Sequence, residues 1–277
     1  MINVKYVGRL GNNMFQYSLG RILAESMGLR LNSHPIPEFS KTYELVNPEQ
    51  IEHYEPIVFN DHVLKIGDSP VSVADIINLE NKTIYLDGWF HRYEYYKPYK
   101  QKIREWLYIE DIDVGQTEND AIVHLRMGDC ITGDLAKDPY VMPHAYFNKA
   151  LELMDFDKLF VCSDPETLNH PLFEKYMENF SQYNPILLQG DKIQDFRAIK
   201  SFNKIVMSQS TFSWWGAFLS NASEIFVPVP EPGPHTNEWS LESRNVAVFV
   251  DDEDRYNYIK QYGNEWKLVN LKDIPET

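Results

Sequence analysis

Three short stretches carry side chains whose types and spacing suit chemistry on an anionic ligand. His124, Arg126 and Asp129 fall within six residues at the end of the apolar run 121–125, with Gly128 loosening the backbone between them. Ser163-Asp164 follows the run 158–162, and Ser210, Thr211 and Ser213 follow the run 204–207. An apolar run that stops at charged or hydroxyl residues reads as a strand ending at a site. Parallel strands bring such ends to one edge of a sheet, where open α/β sheets hold their ligands. The chemistry this set suits is binding of a nucleotide diphosphate. A guanidinium such as that of Arg126 takes two phosphate oxygens at once. Ser210, Thr211 and Ser213, at the start of an expected helix, offer hydroxyl and backbone donors to the same anion. A carboxylate such as that of Asp164 accepts from both the N1–H and the exocyclic amine of guanine, which adenine cannot match. Each stretch also has a plain reading: a salt-bridged Arg/Asp pair, a helix entry at Asp164-Pro165, and a helix cap at Ser210-Thr211. The coincidence of all three points to a ligand.

The elements that must position these groups are legible around them. Residues 2–7 alternate like a strand, 8–13 form a glycine-punctuated turn, and 14–27 show helical spacing through Phe15, Leu19, Ile22 and Leu23 before Gly28. Strand, glycine loop and helix together aim helix N–H groups at an anion. The spacing matches neither a dinucleotide fingerprint nor a Walker loop, and a plain strand-to-helix turn has the same appearance. Residues 31–80 are cut into short irregular pieces by Pro35, Pro37, Pro48, Pro56 and Pro70. A strand at 81–87 runs into the aromatic cluster Gly88-Trp-Phe-His-Arg-Tyr-Glu-Tyr-Tyr96, ahead of a helix through Ile103 and Trp106. Such a cluster suits the apolar face of a sugar ring; core packing is the commoner use.

The acidic, irregular stretch 109–120 reads as a linker between two lobes. Beyond it, strands at 122–125, 158–162, 185–188, 204–207 and 224–228 alternate with helices at 146–154, 167–180 and 193–200 and a last one ending at Leu219. That alternation predicts a parallel sheet with right-handed crossovers, a Rossmann-like lobe. The division is then 1–108 for the N-terminal α/β lobe, 109–120 for the linker, 121–250 for the Rossmann-like lobe, and 251–277 for a tail packing back on the body.

The 277 residues suffice for one large or two small cores, and 43% hydrophobic with 14% aromatic content describes a well-filled globular chain. With 26 Lys+Arg against 41 Asp+Glu, the net charge of −15 argues against nucleic-acid binding and against a polybasic membrane patch. A small anion still responds to the local arginine. Cys130 and Cys162 are too few for a disulfide framework, no apolar stretch is long enough to span a membrane, and the opening residues read as a strand; a cytoplasmic location is expected. The sequons at Asn81 and Asn221 carry no weight in that compartment.

Four motifs, in order, resemble one family. Gly8-Arg-Leu-Gly-Asn-Asn-Met-Phe-Gln-Tyr17 resembles the opening Gly-Gly-Leu-Gly-Asn-Gln-Met-Phe-Gln-Tyr of the family 11 α-1,2-fucosyltransferases. Gly88-Trp-Phe-His91 is similar to their Gly-Tyr-Phe-Gln, His124-Leu-Arg-Met-Gly-Asp129 to their His-x-Arg-Arg-Gly-Asp, and Ser210-Thr-Phe-Ser-Trp-Trp215 to their Ser-Thr-Tyr-Ser-Trp-Trp. The resemblance implies a GT-B-like enzyme of two Rossmann-like lobes with a cleft between them. It would use GDP-β-L-fucose without a metal or other cofactor and invert at the sugar carbon, with terminal galactose as acceptor. Arg126 would hold the diphosphate and stabilise departing GDP. His124 and Asp164 would face the guanine; Ser210, Thr211 and Ser213 would bind phosphate oxygens; Asn12 or Asn13 would close over the donor; Trp89 and His91 would lie on the acceptor side.

This chain departs from the motif at Met127, where the family has a second arginine, and at Asn13 and His91, which replace glutamines. The loss of charge at Met127 opens the alternative of another GDP-linked deoxysugar as donor. A non-catalytic glycan- or nucleotide-binding protein on the same scaffold is the alternative from a different class. For the general base that an inverting transfer needs, Asp129 comes first, with Asp134 and His91 behind it; Asp129 serves equally as a partner that orients Arg126. No Asp-x-Asp metal motif is present, and the acidic run 251–254 reads as a solvated turn.

Overall fold

A computed structural model describes residues 1–47, 55–60, 64–80, 83–132, 141–142, 144–229 and 266–270. Contacts divide the chain into two compact units, Met1–Ile109 and the described residues from Glu110 onward. Each is α/β with a parallel sheet.

The first unit opens with β1 (Ile2–Val4), α1 (Leu10–Met27) and β2 (Leu31–Asn32), continues through β3 (Ile57–Phe59), the hairpin strands β4 (Lys65–Ile66) and β5 (Ser69–Pro70), α2 (Val73–Ile77) and β6 (Ile84–Leu86), and closes with α3 (Tyr93–Tyr96) and α4 (Lys100–Trp106). Its main sheet has the order β2-β1-β6-β3, and all three pairings are parallel. Chain order reverses between β1 and β6, so the carboxyl ends of those two strands flank a switch-point crevice. Helix α1 starts earlier than its apolar spacing predicts: Gly11, Asn12 and Asn13 belong to its first turns, and the Asn13 N–H bonds the Arg9 carbonyl at 3.0 Å. Burial along 10–24 outweighs the poor helix propensity of Gly-Asn-Asn. The helix stops at Gly28 in the left-handed region, as the sequence predicts. β3, α2 and the β4–β5 hairpin lie in the stretch that reads as irregular.

In the second unit β7 (Ala121–Leu125) leads to α5 (Gly128–Thr132), α6 (His144–Leu153) and β8 (Leu159–Ser163), then α7 (Pro171–Asn179), β9 (Ile186–Leu187), α8 (Lys192–Ser201), β10 (Lys204–Val206), α9 (Thr211–Leu219), β11 (Glu224–Val229) and β12 (Trp266–Asn270). The sheet runs β12-β11-β10-β7-β8-β9, parallel throughout. Counted within this unit, that is the order 6-5-4-1-2-3 of doubly wound nucleotide-binding sheets. The expected helix over 167–180 is two pieces, because Pro171 starts a new helix after a 3₁₀ turn at Pro165–Thr167. β12 adds a strand in the stretch that the sequence assigns to the tail.

Glu110–Asp120 has no helix or strand, and it is fastened to the second unit. Arg197 donates to the carbonyls of Glu110 and Asp111, the Ile112 N–H donates to Ser201 Oγ, and Asp120 Oδ1 accepts the Lys158 N–H.

Candidate nucleotide-binding site

In the six-stranded sheet the order reverses between β7 and β10, and the residues just beyond these two strands bound the crevice there. On the β7 side they are His124, at the strand's end, and Arg126. On the β10 side they are Ser208, Gln209 and Ser210. The two strand ends are stitched together by Ser208, which is buried. Its Oγ donates to the His124 carbonyl at 2.5 Å and accepts the Arg126 N–H at 3.0 Å. The Arg126 Nη1 donates to the Gln209 carbonyl at 3.3 Å. The guanidinium is thus aligned from β10 while remaining half-exposed. Ser208 falls inside the hydroxyl-rich turn that stands out in the sequence, but its anchoring role shows only in the pairing of β7 with β10.

His124 is 6% exposed, its Nδ1 has no hydrogen-bond partner, and its ring lies 5.7 Å from Phe212. Burial, helped by the Arg126 charge, lowers its pKa to about 3. It is therefore a neutral imidazole at physiological pH, able to offer either a donor or an acceptor nitrogen to a ligand.

Asp164 caps the end of β8. Its Oδ2 accepts the Met127 N–H at 3.1 Å, and its carboxyl lies so close to Gly128 that a Cβ there would fall 2.8 Å from Cγ. The glycine therefore gives the carboxylate its seat. One carboxylate oxygen is held by backbone, which leaves the group partly committed and partly available at the sheet's edge.

Met127 itself points the other way. Fully buried, it packs in the core with Leu125, Met142, Tyr146 and Phe147. The side chain that stands where the family motif has a second arginine is thus a core component of the second unit. Asp129 stands second in α5, and its side chain lies outside the described ones. Asp134 and the acidic run 251–254 also lie outside the described residues.

Of the three hydroxyls opening α9, Ser210 caps the helix by accepting the Phe212 N–H at 3.2 Å. Ser213 is fully buried, and its Oγ faces the carbonyls of Ser208 and Ser210 at 3.3 and 3.2 Å. Thr211 is half-exposed at the helix start, which makes it the hydroxyl best placed for an anion. Trp214 and Trp215 are wholly buried packing groups, in contact edge to face.

In the first unit, Gly8 has φ +86°, and a Cβ there would lie 2.2 Å from Asn12 Nδ2 and 2.8 Å from Trp89. The loops after β1 and β6 therefore meet at this glycine. Gln16, fully buried, holds them together: its Oε1 accepts the Val7 N–H and its Nε2 donates to the carbonyls of Val7 and Gly88. Asn12 and Asn13 each bury an Oδ1 with no hydrogen-bond partner. Trp89 is half-buried, whereas His91 is fully buried, with its ring 4.8 Å from Phe15 and 5.8 Å from Trp89. That gives His91 a packing role. Phe90 before it holds φ +52°, an uncommon conformation for an aromatic residue, with its carbonyl accepting the Tyr96 hydroxyl at 2.7 Å.

Among the described residues no group of three or more His, Cys, Asp or Glu side chains is arranged to hold a metal ion. No described helix is long and apolar enough to cross a membrane.

A doubly wound parallel sheet with a cation and a hydroxyl-rich turn at its switch point is the arrangement in which open α/β sheets place anionic ligands. The chain belongs to glycosyl transferase family 11, whose model it matches over residues 1–233. Neither the curated proteins nor the solved structures compared gave a match. As a member of that family it is a glycosyltransferase, working between a nucleotide-sugar donor and a glycan acceptor.

Proposed function

We propose that the protein is an inverting, metal-independent fucosyltransferase that moves L-fucose from GDP-β-L-fucose to a galactoside hydroxyl, forming an α-1,2 linkage to terminal galactose. In this reading the two units form a GT-B-like pair, the second binding the donor and the first the acceptor. The observation that carries it is Arg126, held at the β7/β10 switch point by Ser208 and Gln209. There the guanidinium would meet the charge that develops on the diphosphate as the bond from the anomeric carbon to the phosphate oxygen breaks. That stabilisation stands in for a metal.

The acceptor oxygen would form the new bond from the opposite face while its proton passes to a base, for which Asp129 is the candidate. GDP would leave with the bonding electron pair. His124 and Asp164 would address the guanine, Ser210 and Thr211 the phosphates, with Ser213 shaping that turn from within. Asn12 and Asn13, with buried acceptor oxygens, and Trp89 would serve the sugar side. The core placement of Met127 supports fucose over another GDP-linked deoxysugar as the donor's sugar.

The test is GDP release from GDP-fucose with a galactoside acceptor, with and without EDTA, followed by NMR of the product linkage. Turnover unaffected by EDTA, and lowered about a hundredfold or more in Arg126→Ala, is the expected result. Normal turnover by that variant overturns the mechanism; donor binding without turnover on any acceptor overturns the enzyme reading; preference for GDP-mannose or GDP-rhamnose overturns the donor.

A further inference from the structure

Asp195 is a charged residue in a place where helices normally put apolar ones. It is 6% exposed, and its Oδ1 has no hydrogen-bond partner. Its place in α8 is set by the buried face that it shares with Ala198 and Ile199, three and four residues on. The first turn of α8 follows β9 closely, so Asp195 lies toward the carboxyl edge of the sheet, the edge that holds His124, Arg126 and Asp164. Phe196, its neighbour, packs 5.3 Å from Phe212, whose ring is in turn 5.7 Å from His124. Gly190 makes room for it: a Cβ there would fall 2.8 Å from the Asp195 Oδ1. The titratable groups that influence it are Asp164, just past β8, Cys162 in β8 and Asp191 from the turn before α8. A buried carboxyl oxygen with no donor of its own is costly, and the Asp164 carboxylate, proposed above to address the base, is among its charged neighbours.

We infer that Asp195 is a second specificity-determining carboxyl for the donor's base, its open Oδ1 accepting an N–H from a purine edge that presents several adjacent donors. The assignment rests on the reading that a nucleotide occupies the β7/β10 crevice. Guanine's edge carries the N1–H and both hydrogens of its exocyclic amine. Asp164 commits part of its acceptor capacity to the Met127 N–H, and Asp195 supplies the remainder. Adenine presents a ring acceptor at the matching position, and hypoxanthine lacks the amine; both leave a buried carboxyl oxygen without a donor.

Desolvation, with Asp164 and Asp191 adding to it and the Gly190 N–H opposing it, raises the Asp195 pKa to about 7. An N–H arriving at the carboxyl favours its ionised form. Base binding near neutral pH therefore expels a proton into solvent, and affinity rises with pH through about 7.

Calorimetric titration of the full chain with GDP and with IDP, at pH 6 and 8 and in buffers of different ionisation heat, tests this. Wild type is expected to favour GDP over IDP and to release more protons on binding GDP; phosphate protons are common to both ligands and cancel. Asp195→Asn should lose about tenfold in GDP affinity, narrow the GDP-to-IDP gap and abolish the excess proton release. Wild-type affinity and unchanged preference in that variant, or no excess proton release by wild type, overturn the assignment. Arg126→Ala separates the two readings. If it binds both nucleotides as wild type does, the crevice reading falls; if it loses both while Asp195→Asn behaves as wild type, only the role of Asp195 falls.

Discussion

The Ser208 hydroxyl accepts the backbone N–H of Arg126 at 3.0 Å, across 82 residues of sequence. The same oxygen donates to the carbonyl of His124, so one small side chain fixes the backbone on both sides of residue 125. Ser208→Ala leaves two backbone groups unpaired, and a stability loss of about 1–3 kcal/mol is expected. Urea unfolding gives the stability. Because Arg126 is aligned through this link, kcat for GDP release should fall while KM moves less. A variant that melts like wild type and turns over normally would show that the stitch is dispensable.

Gly128 and Asp164 form a second coupled pair. A methyl at 128 meets the Asp164 carboxyl at 2.8 Å, so Gly128→Ala should cost about 1–3 kcal/mol and weaken GDP binding. In an Asp164→Ala background the same methyl has room, and its cost should nearly vanish. A double-mutant cycle in stability measures the coupling; additive effects would contradict the geometry.

Restoring the family arginine at position 127 offers a direct check on that side chain's direction. Met127 is wholly buried among apolar neighbours, so Met127→Arg should destabilise by about 3–5 kcal/mol through an unpaired buried charge. Thermal melting decides it. A variant as stable as wild type with tighter GDP binding would place residue 127 in the crevice instead.

His124 and Asp195 give opposite pH responses. The folded pKa of His124, about 3, lies below its unfolded 6.5, so its contribution is complete above 6.5 and is lost as pH falls toward 3. The folded pKa of Asp195, about 7, lies above its unfolded 3.8, so its contribution is complete below 3.8 and is lost as pH rises toward 7. Each slope is about 1.4 kcal/mol per pH unit, and between about pH 4 and 6.5 they offset. Relative to wild type, His124→Gln should lose stability with rising pH across that window, and Asp195→Asn should gain it. Denaturant midpoints from pH 4 to 8 read both trends; parallel curves for all three proteins would refute them.

Much of the second unit is readable in the sequence because β7, β8 and β10 are apolar runs that end abruptly at candidate site residues. The first unit is harder. β3 is three residues long in a proline-spaced stretch, with Val58 half-exposed, so alternation has nothing to act on. The first turn of α1 hides behind Gly-Asn-Asn, a sequence that prefers turns and becomes helical because its neighbours' burial outweighs that preference. Met127 and Asp195 are the two instructive cases of side-chain direction. A motif match aligns Met127 with a family arginine, whereas its side chain is packed in the core and its backbone N–H bonds Asp164. Asp195 is not singled out by any motif in the sequence, although its spacing to Ala198 and Ile199 puts it on the buried face.

Gln16 has a mechanical consequence. Its carboxamide grips the loop after β1 at Val7 and the loop after β6 at Gly88, while its own backbone is locked inside α1. Neither loop can swing alone without breaking hydrogen bonds to this buried side chain. Any opening of this edge must carry both loops and the helix together, as one stiff part.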